Sequence, residues 1–95
     1  MSDHERLTAR VEGYVQGVGF RWWVRTRADR LGITGWVMNE PEDRAVALVG
    51  EGRPDALDEL ERQLWRGPPG ARVDRVEASR SPASGSFHRF DITRP

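Results

Sequence analysis

The chain has 95 residues, with 15 basic and 15 acidic side chains for a formal net charge of zero, and it contains no cysteine and no lysine. That length bounds it to one domain, residues 1–95, around a single core. Without cysteine there is no disulfide, no thiolate nucleophile and no cysteine-held zinc or iron–sulfur site, and without lysine there is no Schiff base and no Walker-type phosphate lysine.

Neutral overall charge with interspersed acids argues against a nucleic-acid partner, which needs a basic face. No apolar run is long enough to span a membrane. The charged start Met1–Arg6 has no apolar centre and is not a signal peptide. Residues 1–6 are expected as a frayed terminus, and the protein as a cytoplasmic monomer. His4 and His88 lie near opposite ends of the chain and offer no metal-ligand spacing.

From Leu7 to Val15 apolar and polar residues alternate loosely, with Leu7, Ala9, Val11 and Gly13 on one side, which predicts a strand with one buried face. Gly13-Tyr14-Val15-Gln16-Gly17-Val18-Gly19-Phe20-Arg21 then passes from that strand into a helix. It holds no proline and no acid. From Arg21 to Leu31 the period changes: Phe20, Val24, Ala28 and Leu31 form one helical stripe, and Gly32 suits the left-handed position after a helix end. Of the adjacent Trp22 and Trp23, one is expected to pack on the sheet and the other to shield the edge of the loop.

Ile33–Asn39 reads as a second strand, Glu40-Pro41-Glu42-Asp43 as a polar turn, and Arg44–Glu51 as a third strand pairing with the second as an antiparallel hairpin. Pro54 and Asp55 mark a helix start, Leu57, Leu60 and Leu64 its apolar stripe, and Gly67-Pro68-Pro69-Gly70 its end. Ala71–Ala78 predicts a fourth strand whose Val73 and Val76 spacing breaks alternation and suggests a bulge. Ser79–Ser86 reads as a loop and Phe87–Ile92 as a short last strand. The order β-α-β-β-α-β with an extra strand predicts an α+β, ferredoxin-like split sandwich: two helices on one face of an antiparallel sheet. That fold hosts many functions, so function has to be argued from a site.

A strand-loop-helix passage with glycines can aim several backbone N–H groups at one point, and a helix N-terminus adds its orphan donors and the positive end of its dipole. Gln16, Gly17, Val18, Gly19, Phe20 and Arg21 therefore form a candidate phosphate cradle. On these residues alone the glycines can equally make a plain turn and Arg21 sit on the surface. A cysteine phosphatase would need a thiolate where Val15 stands, a metal phosphatase would need converging carboxylates or histidines, and an ATP-using enzyme would need a lysine and a magnesium-holding side chain.

What remains is Arg21, backbone N–H groups and Asn39, at the end of the strand after the first helix. Strands flanking that helix are expected to lie close together, so Asn39 can approach the cradle. Its amide can hold a water in line with a bound phosphorus. Such a site has no acid to protonate a leaving group. It suits leaving groups such as a carboxylate, with a conjugate-acid pKa of roughly 4.

At this point the sequence resembles a known family. Val11-Glu12-Gly13-Tyr14-Val15-Gln16-Gly17-Val18-Gly19-Phe20-Arg21 resembles the signature of the acylphosphatases, and Gly35-Trp36-Val37-Met38-Asn39 resembles their second signature. Leu31–Gly35, Gly67-Pro68 with Ala71 and Val73, and Phe90-Asp91-Ile92 match the same pattern, so the likeness runs from Leu7 onward. It implies a small ferredoxin-like hydrolase that cleaves acyl phosphates without metal or cofactor. It implies that Arg21 and the backbone of residues 16–21 bind the phosphate, which is also product and inhibitor, and that Asn39 positions the water. One departure stands out. Where the family usually turns on a glycine after the Asn, this chain has Glu42-Asp43-Arg44-Ala45, and it places Glu40, Glu42 and Asp43 not far from an anion site. A weakly catalytic or non-catalytic module that binds phosphate or carbamoyl phosphate is the alternative reading.

Overall fold

The computed structural model describes residues 3–40, 42 and 44–95. The elements run β1 (Glu5–Tyr14), α1 (Phe20–Leu31), β2 (Thr34–Glu40), β3 (Ala45–Gly52), α2 (Pro54–Arg66), β4 (Arg72–Pro82) and β5 (Phe90–Ile92). They form one five-stranded sheet in the order β4-β1-β3-β2-β5. This is the expected ferredoxin-like α+β class.

The helical stripes read from the sequence are the ones that bury. Phe20, Val24 and Ala28 of α1, and Leu57, Leu60 and Leu64 of α2, are buried against Leu7, Val11, Val37, Val46 and Leu48 of the sheet. Each such leucine withdrawn from water contributes about 1.5–3 kcal/mol before entropy is charged. Gly32 ends α1 in the left-handed conformation, and its N–H bonds back into the last turn.

Four expectations change. The sheet is not wholly antiparallel, because β5 pairs in parallel with β2. β4 is longer than its valines indicate: Ser79–Pro82 belong to the strand, paired with Glu5–Thr8, and the bonding partner overrides the weak strand preference of serine. For the same reason Glu5 and Arg6 are not frayed; they pair with Gly52 and Glu51. Residues 87–89 precede β5 instead of belonging to it. The bulge is present where it was expected: Glu12 pairs with Arg75 and Gly13 with Val73, leaving Asp74 as the extra residue. Of the polar turn, Pro41 and Asp43 lie outside the described residues.

Gly35 is where the sheet tolerates no side chain. Its φ is 146°, and a Cβ there would stand 1.9 Å from the Val49 carbonyl oxygen of the neighbouring strand. Gly35→Ala must force β2 from β3, so a loss of about 3 kcal/mol or more is expected in denaturant unfolding.

Strands β4 and β5 lie at opposite edges of the sheet, so residues 83–89 cross its whole width. Glu51, on central β3, anchors that crossing. It is 4% exposed. Its carboxylate accepts from the N–H groups of Ser84 (2.8 Å) and Gly85 (2.9 Å), the Ser84 hydroxyl (2.9 Å) and Arg6 (2.8 Å). Arg6 also stacks on Phe87, 5.5 Å from the ring centre. Burial alone would raise the Glu51 pKa. The Ser84 and Gly85 donors, with Arg6, outweigh it and hold the group down at about 2. A carboxyl lowered in the folded state stabilises the fold fully above its unfolded value and loses that contribution as pH falls toward the folded one. Stability should therefore decline between about pH 4.5 and 2, with Glu51 contributing roughly 2 kcal/mol after allowance for solvent screening. Acid unfolding of Glu51→Gln should lack that share of the decline.

Candidate active site

The cradle occupies one end of the sandwich, where β1 stops and α1 begins. Val15 and Phe20 are buried and Val18 packs on the core, so the loop is pinned at these three points. Gly17 and Gly19 both take left-handed φ, 76° and 77°, and nothing lies within 4 Å of where a Cβ would be. Glycine is therefore favoured here by backbone conformation and not by crowding, and the space above the loop is open.

Gly19 is the N-cap of α1. No side chain caps the helix and no acidic residue stands in its first turn. The ladder's first bond runs from Trp23 N–H to the Gly19 carbonyl at 3.0 Å. The N–H groups of Phe20, Arg21 and Trp22 thus have no acceptor within the helix. Arg21 is half-buried beside them. Among the described residues it makes no ion pair or hydrogen bond, in a protein whose Arg62, Arg72, Arg75 and Arg89 are each paired with a carboxylate.

Asn39 reaches the same end by a different route from the one its sequence position suggests. β3 lies between β1 and β2, so the strands flanking α1 are not neighbours. Register supplies the link instead. Asn39 pairs with Val46, and Val46 with Val11. Directly paired residues share a face, and both valines are fully buried under the helices. Asn39 therefore lies on the helix-covered face, in the last rows of the sheet before the cradle.

The Gln16 side chain ties the two parts together. Its amide donates to the Glu40 carbonyl at 2.9 Å and to the Ala45 carbonyl at 3.0 Å. In the sequence Gln16 stands out only for its backbone N–H. Nothing in its local pattern indicates that its side chain staples the cradle to the base of the β2–β3 hairpin.

The acidic turn raises less electrostatic opposition than its composition suggests. Glu40 is one residue past Asn39, so it faces the opposite, helix-free side of the sheet. There Arg10 binds it at 3.2 Å and also binds Glu12. Glu42 is exposed, and Asp43 lies outside the described residues. In the turn that lacks the glycine expected from the sequence, Arg44 takes a positive φ of 51°. The hairpin thus keeps a left-handed turn residue without a glycine.

The two tryptophans divide their work. Trp23 packs on the core through Phe20, ring centres 5.5 Å apart, whereas Trp22 is 61% exposed on the outer side of α1. No helix of the described structure is long and apolar enough to cross a membrane.

Fold and loop together define a class: a small α+β sandwich with an exposed helix start that no side chain caps and, beside it, an arginine without an ion pair among the described residues. The comparisons with known proteins narrow it. The acylphosphatase family model matches residues 7–92. The acylphosphatase of Rubrobacter xylanophilus is 49% identical over 88 residues, covering 93% of this chain and 79% of that one. The acylphosphatase of Rhizobium etli is 45% identical over 94 residues, covering 98% and 99%. The crystal structure of acylphosphatase from Bacillus subtilis superimposes with a TM-score of 0.89 at 34% identity, covering 94% of this chain and 98% of that chain. The chain belongs to the acylphosphatase family, and its activity is that of the family, hydrolysis of an acyl phosphate.

Proposed function

We propose that this acylphosphatase holds the phosphate of its substrate with the Arg21 guanidinium and the backbone N–H groups of residues Gln16–Arg21, and that Asn39 positions the attacking water. The observation that carries this reading is the uncapped start of α1, with Arg21 in its first turn making no ion pair among the described residues, tied through Gln16 to the strand end that bears Asn39. The planar fork of an arginine matches two phosphate oxygens at once. The helix dipole adds a fixed positive field.

Water attacks phosphorus in line as the bond between phosphorus and the acyl oxygen breaks. The acyl group departs as a carboxylate, and the water's proton passes to the phosphate oxygens, so atoms and charge balance. A leaving group with a conjugate-acid pKa of roughly 4 needs no protonation. The transition state is loose, so positioning and charge stabilisation suffice without a metal or cofactor. One chain supplies every group in this scheme, so a monomer suffices for it.

The test is release of phosphate from benzoyl phosphate. Turnover well above spontaneous hydrolysis, with inorganic phosphate as a competitive inhibitor, is the expected result. Phosphate binding without turnover would instead mark the chain as a binding module for phosphate or carbamoyl phosphate. A noncompetitive pattern would place the anion site elsewhere.

A further inference from the structure

Beside the cradle lies a cavity of about 430 Å³, bounded by Trp23 and Arg27 of α1, Arg66 at the end of α2, and the connection 67–71. Two contacts link its lining to the ends of the cradle. Arg72, next after that connection, pairs with Tyr14, the last residue of β1 before the cradle. A Cβ on Gly67 would stand 3.1 Å from the ring of Phe20, the first residue of α1.

The direction of the reaction bears on this cavity. In-line displacement requires the leaving group to depart opposite the attacking water. Asn39 is on β2, on one side of the cradle strand β1, and the cavity lies toward β4, on the other. The helix repeats the same division. Trp23 and Arg27, four residues apart, share one flank of α1, and Arg21 lies on the opposite flank. A water on the Asn39 side therefore sends the acyl group toward Trp23, Arg27 and Arg66.

We propose that this cavity receives the acyl group, and that Arg27 and Arg66 select acyl phosphates whose acyl group carries a second carboxylate at its far end. The inference rests on the site assignments proposed above. Among the described residues neither arginine forms an ion pair, and Glu59, the carboxylate that feels Arg66 through space, is bound by Arg62. Arg27 is stacked on the Trp23 indole, 5.2 Å from the ring centre, so its fork is ordered before a ligand arrives. Two guanidinium groups suit a carboxylate better than an uncharged tail.

The experiment compares benzoyl phosphate with 4-carboxybenzoyl phosphate, a rigid pair that differ only in the distal charge and cannot cyclise. The wild type should favour the carboxylated substrate by about 10-fold in kcat/KM at low salt, mainly through KM, and raised ionic strength should shrink the preference. In the Arg27→Gln/Arg66→Gln protein the ratio should fall close to one. The ratio within one protein is insensitive to any loss of folded fraction, because both substrates meet the same cradle. Equal kcat/KM in the wild type, or a ratio that survives the double substitution, overturns this inference alone. Failure of the wild type to hydrolyse either substrate overturns it together with the proposed site.

Discussion

Arg21→Lys is expected to lower kcat/KM on benzoyl phosphate by on the order of 10³-fold while leaving the thermal midpoint within a few degrees of wild type. Lysine keeps the charge but replaces a planar fork with a single ammonium, so only one phosphate oxygen is engaged at a time. The fold should be indifferent, because Arg21 is half-buried and makes no ion pair or hydrogen bond among the described residues. That combination separates a binding role from a structural one. Near wild-type hydrolysis by the lysine variant would falsify the assignment of Arg21 to the phosphate.

Asn39→Ala carries the second large effect, a fall in kcat of on the order of 10²-fold with the affinity for inorganic phosphate retained. The two readouts should divide in this way because the cradle belongs to the loop after β1, whereas Asn39 is two strands away on β2, and the role proposed for it is confined to the water's position. A variant that loses phosphate affinity and turnover together would show that Asn39 supports the loop. Gln16→Ala provides the contrast: it removes the side chain that joins the loop to the hairpin base, so both quantities should fall together.

Much of the fold is legible in the sequence because periodicity survives without knowledge of partners. The stripes Phe20-Val24-Ala28 and Leu57-Leu60-Leu64 are the buried faces of the helices. The irregular valine spacing of the fourth strand is a real bulge, with Asp74 left over. Features that depend on a distant partner were not legible. Ser79–Pro82 extend β4 only because Glu5–Thr8 lie alongside, and Phe90–Ile92 run parallel to β2 only because residues 83–89 first cross the sheet. Glu51 looks like any acid at a strand end, yet it holds that crossing with two backbone donors, a hydroxyl and a guanidinium.

The same division applies to the site. The glycine-rich run ending in Arg21, with Asn39 further on, names the groups that can bind a phosphate and hold a water, because those are properties of residue type. Their assembly is a tertiary matter. β3 separates the two strands that flank α1, and Asn39 is related to the cradle through the row Asn39–Val46–Val11, which puts it on the helix-covered face, and through the reach of Gln16 to the hairpin base. Residue inventory, in what it contains and what it lacks, limits the chemistry open to the protein. The folded chain alone places Asn39 on one side of β1 and the cavity of Trp23, Arg27 and Arg66 toward β4 on the other, because strand order and register are set by pairing between segments far apart along the chain.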